Sequence, residues 1–170
     1  MALPSPAELP EQPFEVSLSI RHPTIDPDEI SRTLDVEPIE AFRAGDPRPG
    51  GSGGSEARVH ADTYWVAVFS PDTWLAHSPA QLWPEQAIRA LRRNLRLGGL
   101  GLLEMRLAMI CEHLRARHRE FLQRLHAEGG RIALRVTLSP REVTSFTVPL
   151  AAGRLLTELG VAIEFDLAAS

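Results

Sequence analysis

Between Phe14 and Pro38 the chain reads FEVSLSIRHPTIDPDEISRTLDVEP, which constrains local structure more tightly than any other stretch. Phe14, Val16, Leu18 and Ile20 alternate with Glu15, Ser17, Ser19 and Arg21. Successive strand side chains point to opposite faces, so this is a strand with one apolar and one wet face. A helix start follows. Asp26 suits the N-cap, Pro27 the first helical position, and Glu29 the third position of an Asp-x-x-Glu capping box. Ile25 and Ile30 are placed for a hydrophobic staple, Ile30 and Leu34 face inward, and Pro38 forbids continuation. The Asp26, Asp28 and Glu29 carboxylates therefore have a structural role at a helix N-terminus before any catalytic one.

The rest of the chain supplies partners for this unit. At 170 residues and 44% hydrophobic, the length suits one domain able to bury roughly 70% of its unfolded surface. The Pro-rich residues 1–12 predict a disordered tail, and 13–170 a single domain. Residues 47–62 are dense in Gly, Pro and Ser and predict a flexible loop. Tyr64 to Phe69 is a strand apolar on both faces, covered by helices on one side and by the loop or a partner on the other. Pro84 to Leu97 reads as a helix, Leu102 to Ala127 as a longer one with Leu103, Leu107, Ile110, Leu114, Phe121 and Leu125 inward. Glu120 and Arg124 are spaced for an i,i+4 pair. Ile132, Leu134, Val136 and Leu138 again alternate with Arg131, Ala133, Arg135 and Thr137. A helix over Val148 to Leu159 then leads to a strand with Val161, Ile163, Phe165 and Leu167 inward. The order predicts an α+β, ferredoxin-like fold: two duplicated β-α-β units with parallel crossovers share one mixed or antiparallel sheet. Helices cover one face, and 80–128 forms a helical insertion.

Chemistry-bearing patterns are sparse. Gly99-Leu-Gly101 has Glu104 where the third glycine of a dinucleotide fingerprint would stand, and Gly50 to Gly54 lacks the Lys-Ser/Thr of a phosphate loop. Cys111 and His113 fall on different helix faces, and His113 and His118 are five apart, so no metal or other cofactor is expected. His118 falls on the apolar stripe as a partly buried core residue. No nucleophile elbow occurs, and an enzyme is not expected. Cys111 stands alone, which excludes an internal disulfide and, with no leader or long apolar run, predicts a cytoplasmic protein away from membranes.

All 18 basic residues are Arg, and Ala80 to Glu128 carries nine Arg against five Glu although the net charge is −4. Arg89, Arg92, Arg93 and Arg96 form one helix face that could grip phosphates. Without interleaved aromatics a solvated face accounts for it, and nucleic acid is not the expected partner. Asp46 lies in Arg-x-Gly-Asp-Pro, where a turn suffices, because Gly45 permits positive φ and Asp46 can bond nearby backbone. Trp65, Trp74 and Trp83 are candidate core or interface anchors.

The run DPDEISRTLDVEP, then FRAGDP, TYW, an apolar helix ending in Gly-Gly, RIALRVTLS and FTVPLAAGRLLTELGVAIEFDL resembles a bacterial family known as domain of unknown function 4279. The matching positions are Ile30, Leu34, Pro38, Arg43, Gly45, Asp46, Trp65 and Asp166, across Phe14 to Leu167. Residues 47–62 and 72–103 look longer than the family pattern, and Leu167 stands where an Ile-Tyr ending is common. The resemblance implies a fold and no activity. The expected function is a non-enzymatic protein-binding module, immunity- or antitoxin-like, whose partner is another protein or a second copy. Two further readings compete with it: a small-ligand regulatory site built from Arg43, Asp46 and Trp65, and weak nucleic-acid binding through Arg89 to Arg96.

Overall fold

The alternation that begins at Phe14 becomes β1 (Phe14–His22), the central strand of the sheet. Structure is described for residues 14–48, 59–69, 101–139, 148 and 150–167 of a computed structural model. After β1 come α1 (Pro27–Leu34), β2 (Glu40–Phe42), β3 (Thr63–Val68), α2 (Gly101–Ala127), β4 (Arg131–Leu138), α3 (Leu150–Leu159) and β5 (Val161–Leu167). The described residues thus form an α+β structure with three helices and one mixed sheet of order β2-β3-β1-β4-β5. The expected tail, Trp74, Trp83 and the whole of Pro84 to Leu97 lie outside them.

α1 forms where its signals predict. Asp26 stays extended (φ −74°, ψ 125°) and its side chain accepts the Asp28 N–H at 3.0 Å. The capping box does not close as expected, because Glu29 Oε1 reaches Arg124 Nη2 of α2 at 2.5 Å instead. The helix also stops before Pro38 can end it. Asp35 adopts the left-handed conformation (φ 55°) and donates its N–H to the Ser31 carbonyl; Asp tolerates that region better than most side chains. Ile30 and Leu34 are buried, each contributing about 1.5–3 kcal/mol relative to exposure.

β1 is antiparallel to both β3 and β4, with Leu18 opposite Ala67 on one side and Leu134 on the other. The first crossover therefore differs from expectation. The chain leaves β1 through α1 and lands on β2, then reverses into β3, so the strand at 64–69 is antiparallel to β1. β2 is only three residues long and largely exposed, so its sequence carries no alternation to reveal it. The second expected crossover holds: β5 runs parallel to β4. Only its start is well covered. Val161 is buried, whereas Phe165 and Leu167, expected inward, are 37% and 71% exposed on a terminal strand.

One core joins the apolar sides of the strands (Val16, Leu18, Ile20, Trp65, Ala67, Ile132, Leu134, Val136) to all three helices. α2 runs unbroken, and its Leu103, Leu107, Ile110, Leu114, Leu122 and Leu125 lie in that core. It is a structural layer rather than an appendage; the remainder of the expected 80–128 insertion, residues 80–100, lies outside the described residues. Arg124 bonds Glu29 of α1 rather than its helix neighbour Glu120. The ends of the 47–62 loop are tied, since Pro47 bridges Val59 and His60 N–H donates to the Asp46 carbonyl at 2.9 Å; residues 49–58 lie outside the described residues.

Candidate functional site

The residues of the Asp-Pro and Arg-x-Gly-Asp motifs meet at one place, where the loop after β2 packs on the start of α1. Arg43 Nη2 donates to Asp26 Oδ2 at 2.6 Å, so the helix-capping carboxylate also receives a guanidinium. Gly45 has φ 89°, and Asp46 Oδ2 accepts the Arg43 backbone N–H at 2.9 Å, as its turn role predicts. Thr63, fully buried, closes the joint: its hydroxyl donates to the Ile25 carbonyl at 2.7 Å and accepts the Ala44 N–H at 3.1 Å. Trp65 is sealed in the core and donates its indole N–H to Ser31 Oγ at 2.9 Å. Arg43 and Asp46 are therefore exposed on a loop while Trp65 faces inward, and the three present no common surface. Arg89, Arg92, Arg93 and Arg96 lie outside the described residues.

Polar groups gather instead on the sheet face away from the described helices. Strand register sets them in rows. Phe42, Tyr64, Arg21 and Arg131 stand side by side on β2, β3, β1 and β4. The Phe42 ring stacks on His60 (centroids 3.6 Å) and lies 5.2 Å from the Tyr64 ring, over which Arg21 Cζ sits at 5.0 Å. The middle of the face is small and covered: Ser17, Ser19, Val66 and Ala133 are all buried. At the far end Arg135 Nη2 bonds Glu164 Oε2 at 3.2 Å, and its Nε lies 3.2 Å from Asp166 Oδ2 without the alignment of a hydrogen bond. Burial opposes the Arg135 charge, but the Glu164 hydrogen bond and the nearby Tyr64, Glu164 and Asp166 outweigh it, so its pKa lies above the ordinary value. One end of this face is thus aromatic and basic, the other acidic.

Two histidines expected to diverge do come together. The His113 and His118 rings lie 5.5 Å apart on α2, both half-buried. Burial, then the His118 and Arg117 charges, lower the His113 pKa to about 4. Burial and Arg117 likewise lower that of His118. Cys111 is buried, and its thiol is pushed up to about 12, first by burial and then by Glu112. Among the described residues no three His, Cys, Asp or Glu side chains are disposed to hold a metal ion. Nor, among them, is any helix long and apolar enough to cross a membrane.

Residues 12–83 match the family model of DUF4279, a domain of unknown function. The resemblance read from the sequence holds over that stretch, which carries β1, α1, β2 and β3. It covers less than half of the 170 residues and stops short of Asp166, so the expected extent to Leu167 is narrowed. Neither a curated protein nor a solved structure matches the chain. Within the matched residues, Ile30, Leu34, Arg43, Gly45, Asp46 and Trp65 all serve the α1 joint or the core beneath it.

Proposed function

We propose that this protein is a non-enzymatic binding module that recruits a partner protein by adding a strand to the outer edge of β5. The observation that carries the reading is that edge. β5 is the terminal strand of the sheet among the described residues, seven residues long, and ends in Leu167 at 71% exposure. Because α3 returns antiparallel to β4 and β5, exposed Leu150 stands at the same end of the sheet as Leu167. An exposed strand edge offers a row of backbone donors and acceptors to an incoming chain, and alternate side chains set specificity.

The charge of β5 favours a different protein over a second copy. Glu164 and Asp166 share one face of the strand, and antiparallel self-pairing would set carboxylates against carboxylates, which destabilises a sheet. A partner strand with Arg or Lys on that face and apolar residues on the other meets both sides. A partner that is itself an effector would make the protein immunity- or antitoxin-like. The same reading treats the β1-α1-β2 and β3-α2-β4 crossovers as interleaved halves of a ferredoxin-like scaffold that β5 extends.

The test compares wild type with Leu167→Lys and Asp166→Lys as baits in extract from the source cells, with circular dichroism confirming that all three fold. A binder retained by wild type and lost by Leu167→Lys supports edge pairing. A binder retained equally by all three refutes β5 as the surface, and no binder at all refutes the module.

A further inference from the structure

On the sheet face away from the described helices, Arg21 and Arg131 are direct neighbours across the β1–β4 pair. Both are exposed, and among the described residues neither forms an ion pair. Like charges set directly opposite destabilise an antiparallel pair, so a bound anion would relieve the juxtaposition. Arg21 is already oriented. Its guanidinium rests over the Tyr64 ring at 5.0 Å, which restricts the side chain before any ligand arrives. Beyond Tyr64 the row continues to Phe42, backed by His60.

The row therefore runs aromatic, aromatic, guanidinium, guanidinium over three strand spacings, or about 14 Å. Acidic groups on this face stand apart from it: Glu164 and Asp166 are engaged with Arg135 at the other end, where Glu15 also stands opposite Thr137, and Glu40 sits one row in on the β2 edge.

We propose that this row is a binding site for a nucleoside phosphate, its phosphate between Arg21 and Arg131 and its base against the Tyr64–Phe42 side. Guanidinium forks match phosphate oxygens, and two of them suit a doubly charged phosphate monoester better than a single carboxylate. Aromatic faces take a base without regard to its identity. Tyr64 and Arg131 lie two strand spacings apart, about 10 Å, and an extended mononucleotide bridges base and phosphate sites at that separation. The site is separate from the β5 edge, since Arg131 begins β4 whereas Leu167 pairs with its last residue, Leu138.

Calorimetric titration of the full chain with AMP, adenosine, inorganic phosphate and a short single-stranded oligonucleotide tests the assignment. AMP is expected to bind more tightly than adenosine or phosphate, and less tightly as salt is raised. Arg21→Gln, Arg131→Gln and Tyr64→Leu, each folded by circular dichroism, should weaken AMP about tenfold, the factor that 1.4 kcal/mol represents. Failure of AMP to bind, AMP binding unchanged in all three variants, or phosphate binding as tightly as AMP overturns the proposal. An oligonucleotide that binds about a hundredfold more tightly than AMP overturns it in favour of a polynucleotide.

Discussion

Replacing Thr63 by Val removes one oxygen and tests what holds the Asp-Pro and Arg-x-Gly-Asp motifs together. Valine occupies nearly the same volume, so the change isolates the hydroxyl. That hydroxyl serves two backbone groups, the Ile25 carbonyl at 2.7 Å and the Ala44 N–H at 3.1 Å. Ile25 is buried, and its orphaned carbonyl costs about 1–3 kcal/mol. Ala44 is half-buried, so water can replace part of its bond and the loss there is about 0.5–1 kcal/mol. The added methyl returns about 0.8 kcal/mol. The net expectation is a destabilisation of about 2 kcal/mol, read in urea unfolding as a lower midpoint with unchanged slope. At this chain length it corresponds to a fall of about 4–8 °C in Tm. Thr63→Val and Asp46→Ala should also be non-additive by at least about 0.5 kcal/mol, because both loosen the 43–46 turn. A loss below about 0.5 kcal/mol, with the two substitutions additive, would refute the view that this hydroxyl clamps the loop to α1.

Cys111 should resist alkylation in the folded protein at neutral pH and react fully in denaturant, because its thiol is buried and pushed up to about 12. Equal labelling in both states would show that this part of α2 opens readily. The His113 pKa, about 4 when folded against an ordinary 6.5, sets an acid-side loss of stability. As pH falls from 6.5 toward 4 the unfolded chain takes up a proton that the folded chain refuses, so stability declines across that window. After discounting for partial exposure the decline is about 1–2 kcal/mol, and His113→Gln should flatten it in urea titrations at a series of pH values.

The strands and helices that obey a simple period were legible in the sequence, as β1, α2 and β4 illustrate. What escaped depends on contacts between distant residues. Arg21 and Arg131 both read as outward-facing, but nothing in either strand says that they stand opposite each other. Arg124 had a good local partner in Glu120 and bonds Glu29 instead, since α1 comes close enough to compete. Trp65 looked available to a ligand by residue type, yet its register opposite Ile20 turns it into the core. β2 was missed because three exposed residues give no period to detect. Phe165 and Leu167 kept their alternation and lost their cover, because a terminal strand has a neighbour on one side only.

Among the described strands β1 is made first, and it waits long for its second neighbour. Its Arg21 pairs with Arg131, roughly 110 residues downstream, and at about 5–20 residues per second that partner follows some 5–20 s later. Until then the nascent chain can assemble β1, α1, β2 and β3, the portion that matches DUF4279, with the central strand of the sheet bare along one edge. Sheets joined by such distant pairings fold slowly and present sticky intermediates. The vulnerable moment in the life of this protein is therefore its synthesis, and a chain cut after residue 83 should aggregate rather than survive as a small domain.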